Sequence, residues 1–324
     1  MKAFVNTAAE RMEWRELPVP EPGAGEVRIQ TRACGICATD LEMIAGWDRT
    51  GFPSVPGHEW SGVVDAVGPG GDQRLVGARC VAENVLADGG EVGFEHAGGY
   101  AECFITESDR VHRIPDGLSH DVAVLIEPLA VCVRGLKRLR LDDRRLAVVL
   151  GDGPIGLLSV LLLRRVGVER IGVAGGRDTR LALARVFGAT DTWNYHACGG
   201  DLAGAIRAGL RAEPTSIIEA SGSDRAMESA LELVGREGRI LVLGDYAESR
   251  ARFRWNRILH REIELIGSNA SAGAWSDAVA AAAELSGSLD RMISHRLPAA
   301  DFARGLEWMR QQRADVTKIV LQWN

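Results

Sequence analysis

The stretch Val148-Val-Leu-Gly151-Asp-Gly153-Pro-Ile-Gly156 is an apolar run that breaks into glycines and continues into a helix-like segment. The run from 146 to 150 has the length and the β-branched content of a buried strand. Its glycines form G-x-G-x-x-G where strand meets helix, and this pattern allows a tight turn and a close approach of backbone to a pyrophosphate. The chain has 38 glycines, so an ordinary glycine-rich turn is the alternative. The flanking elements favour a dinucleotide site, predicted to use Gly151, Gly153, Pro154, Ile155 and Gly156.

Strands and helices alternate on both sides of this stretch. The apolar pattern predicts helices over 129–139, 155–166, 179–187, 225–234, 278–285 and 302–311. It predicts strands over 170–174, 216–220, 239–243, 264–267 and 318–322. Such alternation indicates an α/β unit with a doubly wound parallel sheet of the Rossmann type.

The first 115 or so residues show a different sequence pattern. Short strand-like runs are separated by Gly/Pro turns such as Pro18-Val-Pro-Glu-Pro-Gly23 and Ile114-Pro-Asp-Gly117, a pattern typical of a partly closed antiparallel β-domain. We therefore predict a β-rich catalytic domain over 1–126, a dinucleotide-binding domain over 127–270, and a segment over 271–324 that returns to the first domain.

Composition and charge exclude some classes of binding partner. The 324 residues are 46% hydrophobic and 25% charged, and the net charge of −6 comes without a basic run, so neither nucleic acid nor a membrane surface is expected as a partner. The six cysteines do not form a disulfide framework, and no apolar segment after Met1 resembles a signal peptide. A reduced, cytoplasmic protein is expected.

The β-rich part holds residues with metal-ligating chemistry. Cys37 and His58-Glu59 occur there, and Glu127 follows in Ile126-Glu-Pro-Leu129. Cysteine, histidine and carboxylate are zinc ligands, and three of them with one open position make a catalytic site. Each residue alone has an ordinary alternative, as a core cysteine, a loop histidine or a helix-start glutamate. Their joint presence with the glycine loop favours the metal.

Several motifs occur in the order of one known family. They are Gly35-Ile-Cys37-Ala-Thr39-Asp40, Gly57-His58-Glu59, Gly98-Gly-Tyr-Ala-Glu102, Ile114-Pro-Asp-Gly117, Glu127-Pro-Leu-Ala130, the glycine loop and Ile218-Glu-Ala-Ser-Gly222. The spacing of 21 positions from Cys37 to His58 also fits. On these motifs the chain resembles the zinc-dependent medium-chain dehydrogenase/reductase superfamily of alcohol, sorbitol and threonine dehydrogenases, over nearly its whole length.

The resemblance implies a GroES-like β-domain and one catalytic zinc. Cys37 and His58 would be ligands, with Glu59 or Glu127 completing the set, and Asp40 would support them. Thr39 would take the proton of a small alcohol substrate, whose hydride passes to the nicotinamide. Relatives form homodimers or homotetramers.

The chain departs from many relatives in its metal content. The interval from Val81 to His96, where they carry a cysteine-rich zinc lobe, contains no cysteine. No structural zinc is therefore expected, and at most one zinc per chain.

A second departure concerns the proton relay. Glu42 stands where many relatives have a histidine that passes the proton to solvent. Glu42 would accept this proton, or it is a solvated surface residue.

The third departure concerns the cofactor. Gly175 stands where the second strand of the sheet usually ends in a ribose-binding acid, and Gly176 and Arg177 follow, with Arg180 one turn on. This resembles the Gly-Ser-Arg pattern of the family's NADP-dependent members, so NADP(H) is favoured over NAD(H). Solvated arginines, or an Asp178 that reaches the ribose, are the alternatives.

Further cofactor contacts are implied by the resemblance alone. Lys318 would lie near the pyrophosphate, and Ser221, Gly244 and Ser268 would lie on loops near the cofactor. Trp47 and His96 would lie near the substrate.

The leading hypothesis is a zinc-dependent, NADP-preferring oxidoreductase of a secondary alcohol or ketone in a polyol, sugar or cyclitol. A simple alcohol or amino-alcohol (threonine-like) dehydrogenase is the alternative within the class. A non-catalytic dinucleotide-binding protein is the alternative of another class, and a zinc-free quinone-reductase type ranks low because the ligand residues are present.

Overall fold

The computed structural model describes residues 1–323. The chain divides into two compact units, one made of Met1–Glu127 and the segment from Ala272 onward, the other of Pro128–Ser271. Each boundary lies one residue from the position that the sequence suggested.

The strands are β1 (Lys2–Ala8), β2 (Arg11–Glu16), β3 (Glu26–Ile36), β4 (Trp60–Val67), β5 (Arg79–Ala82), β6 (Cys103–Glu107), β7 (Val111–Arg113), β8 (Leu146–Leu150), β9 (Arg170–Gly175), β10 (Asp191–Asn194), β11 (Ser216–Glu219), β12 (Arg239–Val242), β13 (Glu264–Gly267), β14 (Ile293–Pro298) and β15 (Lys318–Gln322). The helices are α1 (Ala38–Ala45), α2 (His120–Ala123), α3 (Ile126–Leu139), α4 (Pro154–Arg165), α5 (Asp178–Val186), α6 (Leu202–Leu210), α7 (Asp224–Leu233), α8 (Trp255–Arg261), α9 (Trp275–Met292) and α10 (Phe302–Arg310).

The second unit is built on a six-stranded sheet with the order β10-β9-β8-β11-β12-β13, in which every neighbouring pair is parallel. All five residues of β8 are buried, as expected for a central strand covered on both faces. The chain crosses from the β9 side to the β11 side at β8, which is the topological switch point where such sheets bind ligands. The prediction of a doubly wound Rossmann sheet is confirmed.

The glycine loop closes tightly between β8 and α4. Gly151 has a φ of 121°, in the left-handed region that favours glycine. A Cβ on Gly156 would lie 2.0 Å from the carbonyl oxygen of Gly151, so only glycine lets α4 start this close to the strand. Pro154 occupies the first turn of α4, where its missing N–H costs no hydrogen bond.

The first unit contains a two-stranded ribbon, β1-β2, and a seven-stranded sheet. In the larger sheet the order is β14-β15-β3-β4-β5-β7, and β6 pairs with β3. All pairs are antiparallel except β14 with β15. The C-terminal strand β15 pairs with β3, so the final segment returns to the β-rich unit as the sequence suggested.

Among residues 1–323, no helix has the length and apolar character needed to cross a membrane. All six cysteines are free thiols.

Candidate metal centre and cofactor pocket

Three side chains of the β-rich unit form a candidate metal centre. One ligand atom each from Cys37, His58 and Glu59 can be chosen so that all lie within 4.8 Å of one another. Cys37 caps the start of α1, while His58 and Glu59 directly precede β4. His58 and Glu59 are buried and Cys37 is partly buried, so a bound ion would be largely shielded from water.

Asp40 fixes the positions of these ligands. Its Oδ2 accepts hydrogen bonds from the backbone N–H of Cys37 at 2.8 Å and from the Tyr100 hydroxyl at 2.6 Å. Its Oδ1 lies 3.4 Å from Nδ1 of His58. Asp40 is fully buried and contacts both the backbone of Cys37 and the imidazole of His58. Carboxylates in such positions orient metal ligands.

The donor set and its charge fit a zinc ion. Thiolate, imidazole and carboxylate are its ligands in catalytic sites. Burial alone would lower the pKa of His58, but Asp40 and then Cys37 outweigh burial and raise it well above the ordinary value. The same negative field favours a divalent cation among these side chains.

Lys318 lies against this cluster, and the sequence analysis did not predict this contact. Its ammonium group donates to both carboxylate oxygens of Glu59, at 2.7 and 2.5 Å, and to the carbonyl of Ile36 at 3.3 Å. Burial lowers the pKa of Lys318, but Glu59 and Cys37 outweigh burial and raise it. That Lys318 contacts a pyrophosphate stays a prediction, and in the structure its ammonium group is buried and paired with Glu59.

Glu127 is the second residue of α3 and the last residue of Met1–Glu127 in the same unit. It is partly buried and is not one of the three clustered residues, yet His58, Glu59 and Lys318 all act on its carboxyl group. Burial raises its pKa to about 7, against the opposing effect of His58. The structure thus places Glu59 in the cluster and Glu127 beside it.

Two further predicted residues lie on α1. Thr39 Oγ1 is 3.7 Å from Cys37 Sγ, so its hydroxyl is next to the candidate metal position. Glu42 lies one turn on and is exposed. Trp47 packs edge-on against Phe94, which in turn contacts the ring of His58.

The segment over 81–96 is held by an arginine. Arg49 donates to Glu95 at 2.6 Å and to Glu91 at 2.7 Å, and its guanidinium lies 4.5 Å from the centre of the Phe94 ring. His96 pairs instead with Asp88, at 2.9 Å. Ion pairs and ring contacts therefore order this segment, which contains no cysteine.

The Rossmann unit carries a pocket of about 760 Å³ at the carboxyl ends of its strands. Its walls include these predicted cofactor residues: Gly151, Gly153, Gly175, Arg177, Arg180 and Ser221. No atom outside Asp152, Gly153 and Pro154 lies within 4 Å of where a Cβ on Gly153 would stand, so the backbone faces open space there. An open, glycine-lined wall at a helix start fits a dinucleotide pyrophosphate.

Other predicted cofactor residues do not line this pocket. Pro154, Ile155 and Gly156 start α4, and Gly244 and Ser268 follow the ends of β12 and β13. A Cβ on Gly244 would lie 2.1 Å from the backbone nitrogen of Gly222, which explains the glycine by packing.

Most of the pocket wall was not predicted, and two of the missed residues, Tyr195 and Asp152, contact the turn after β9. Tyr195 forms part of that wall, and its hydroxyl would be 2.4 Å from a Cβ on Gly176. Asp152 lies inside the glycine motif, and its side chain accepts hydrogen bonds from the backbone of Gly176 and Arg177. The sequence did contain a signal for Asp152. The glycine loop carries an acid at this position, whereas the end of β9 has Gly175 where an acid is usual.

Comparisons with known proteins agree with this geometry. An alcohol dehydrogenase GroES-like domain model matches residues 23–116, and a zinc-binding dehydrogenase model matches residues 154–285. The chain is 30% identical over 351 residues to L-threonine 3-dehydrogenase of Anaeromyxobacter sp. (strain Fw109-5), covering 100% of this chain and 99% of that relative.

Two solved structures with bound cofactors are similar over almost their full lengths. A protein of Escherichia coli CFT073, described as a short chain alcohol dehydrogenase and complexed with NADH, has a TM-score of 0.92 and 25% identity, covering 100% of this chain and 99% of that one. A protein of Sinorhizobium meliloti 1021, assigned as a zinc-binding dehydrogenase and bound to NADP, has a TM-score of 0.90 and 26% identity, with 99% coverage of both chains.

Fold, cluster and pocket together define a zinc-type dehydrogenase with a GroES-like unit and a Rossmann unit. The chain belongs to the zinc-dependent medium-chain dehydrogenase/reductase superfamily.

Proposed function

We propose that the protein is a zinc-dependent oxidoreductase that interconverts a secondary alcohol and a ketone, with a polyol, sugar or cyclitol as substrate. The observation that carries the proposal is the buried cluster of Cys37, His58 and Glu59 in a chain that also has a glycine-lined dinucleotide pocket. These three residues would hold the ion, and Glu127 beside them would serve as a further or exchangeable ligand. One zinc per chain is proposed, without a structural zinc.

The chain's own residues would then bind the substrate and move its proton. When bound, a zinc ion would polarise the substrate oxygen and a nicotinamide would exchange a hydride with the substrate carbon. The Thr39 hydroxyl, 3.7 Å from Cys37 Sγ, would take the hydroxyl proton of the alcohol. Exposed Glu42 would pass it to water, so Glu42→Gln should shift the pH profile of turnover, and an unchanged profile would discard this relay.

NADP(H) is proposed as the preferred cofactor. Two arginines, Arg177 and Arg180, line the pocket, and Gly175 leaves the strand end without an acid. A guanidinium can bind a 2′-phosphate through two hydrogen bonds. Arg177→Ala should weaken NADP(H) binding more than NAD(H) binding, and equal losses would count against the assignment.

A threonine-like activity is the second candidate, favoured by the 30% identity to an L-threonine 3-dehydrogenase. The experiment that separates the candidates is a turnover panel of polyols, sugars, simple alcohols and L-threonine, each with NAD⁺ and NADP⁺, before and after treatment with a chelator. Turnover of a polyhydroxy substrate that the chelator abolishes would support the proposal. Dinucleotide binding without turnover of any alcohol would favour a non-catalytic binder.

The proposal extends to assembly and location. We expect a homodimer or homotetramer, which light scattering of the purified protein would test. A cytoplasmic location is proposed because the six free thiols would remain reduced there.

A further inference from the structure

The glycine loop carries an acid whose side chain crosses to the neighbouring strand. Asp152 is 8% exposed, and its Oδ2 accepts hydrogen bonds from the backbone N–H groups of Gly176 at 2.9 Å and Arg177 at 2.8 Å. These N–H groups belong to the turn between β9 and α5. The carboxylate thus ties the ends of β8 and β9 together within the wall of the dinucleotide pocket.

The position of this carboxylate explains Gly175. A Cβ on Gly175 would lie 2.4 Å from Asp152 Cβ and 2.6 Å from Asp152 Oδ2. Doubly wound folds that bind NAD place a carboxylate at this strand end to accept from the ribose hydroxyls. Here the side chain of Asp152 fills the space next to residue 175, so an acid at 175 and the present Asp152 exclude each other.

Charge around the pocket is mixed. Burial lowers the pKa of Arg180, Arg177 lowers it further, and Asp152 opposes both, so the three side chains share one electrostatic environment. The arginines attract a phosphate, whereas the carboxylate repels one and accepts hydrogen bonds from hydroxyl groups.

We propose that Asp152 is the ribose-selecting acid of this chain, contributed by the glycine loop instead of by the strand end. This rests on the proposed function, because it concerns the cofactor of that same site. Asp152 would bind the adenosine ribose through its hydroxyls and limit the preference for a 2′-phosphate that Arg177 and Arg180 create. The protein would therefore accept NAD(H) as well as NADP(H), and Asp152 would set the ratio.

The test is direct binding of NADH and NADPH to the metal-loaded protein without substrate, followed by nicotinamide fluorescence. Asp152→Asn keeps the shape and an oxygen for the two backbone N–H groups but removes the charge. The ratio of the two dissociation constants should move by about tenfold or more toward NADPH. Asp178→Asn is the matched control, since this exposed acid begins α5 directly after that turn and should leave the ratio unchanged.

A double variant that moves the acid to the strand end keeps the inference testable if a single variant fails to fold. In Asp152→Ala/Gly175→Asp the acid moves to the strand end, and the ratio of the two dissociation constants should return toward the wild-type value. An unchanged ratio in Asp152→Asn, or an equal shift in Asp178→Asn, would overturn the inference while leaving the proposed function intact. Failure of the wild-type protein to bind either dinucleotide would overturn both.

Discussion

Lys318 and Glu59 form a buried ion pair in which the ammonium contacts both carboxylate oxygens, at 2.7 and 2.5 Å. Each side chain is only 2% exposed. Lys318 begins the C-terminal strand β15, and Glu59 directly precedes β4. The pair therefore links the C-terminal segment to the metal cluster and neutralises the carboxylate of that cluster.

Removing one partner should be costly. Lys318→Met leaves Glu59 buried without its cation, and the free energy of unfolding should fall by about 3–5 kcal/mol. Urea denaturation of the two proteins measures this difference. The double variant Glu59→Gln/Lys318→Met should recover part of the loss, since it removes both charges. A single variant as stable as the wild type would show that the pair does not neutralise Glu59.

His120 should make stability depend on pH. Its Nδ1 lies 3.2 Å from Ser61 Oγ, and burial, followed by the charges of Arg79 and Arg32, lowers its pKa to about 4. In the unfolded chain the pKa of this histidine is the ordinary 6.5. Between pH 6.5 and pH 4 the unfolded chain therefore binds more protons than the folded protein, so the free energy of unfolding falls as the pH drops through this range. From about pH 7 to about pH 5 we expect a loss of about 1 kcal/mol, discounted for partial exposure.

His120→Asn should flatten this pH dependence in urea denaturation, whereas His260→Asn, at an exposed position, should leave it unchanged. Identical pH profiles for wild type and His120→Asn would contradict the assignment.

Arg49 should order the segment over 81–96. Arg49→Met removes its ion pairs with Glu91 and Glu95 and its contact with Phe94. We expect a loss of about 1 kcal/mol and faster amide hydrogen exchange confined to this segment, measured by mass spectrometry. Arg74→Met, which breaks a far more exposed pair with Asp72, is the control and should change neither. Unchanged exchange in Arg49→Met would mean that other contacts hold the segment.

Two glycines of the dinucleotide loop should behave differently. Gly153→Ala adds a methyl group to open space, so the unfolding midpoint should hold while dinucleotide affinity falls by about tenfold or more. Gly156→Ala places its methyl group 2.0 Å from the Gly151 carbonyl oxygen, so stability and affinity should both fall. Thermal unfolding and cofactor titration measure the two effects. Unaltered affinity in Gly153→Ala would argue against a cofactor over this residue.

Much of the fold could be predicted from the sequence because its elements follow periodic apolar patterns. The strands β8, β13 and β15 have the predicted bounds. The structure adds β10 and α6, which were missed: β10 is a four-residue edge strand of mostly polar residues with no apolar run to mark it. The predicted helix over 278–285 was too short, because Leu289 and Met292 beyond its Ser-Gly-Ser sequence continue the buried face of α9.

Residues of the site could be predicted only where they belong to short sequence motifs. Cys37 and His58 stand in recognisable motifs, and the structure brings them together with Glu59. The partner of Lys318 could not be predicted, since it depends on the register in which β15 pairs with β3, and this places residues 259 positions apart in contact. Tyr195 was missed for a similar reason, because its place in the pocket depends on the turn after β10.

The metal content of matched cysteine variants tests the central claim most directly. Cys37 and Cys34 are neighbours on the chain, but only Cys37 belongs to the cluster, while Cys34 is a buried core thiol. Elemental analysis should find about one zinc per chain in the wild type and in Cys34→Ala, and almost none in Cys37→Ala. Full zinc content in Cys37→Ala, two tightly held zincs in the wild type, or turnover by metal-free protein would contradict the account.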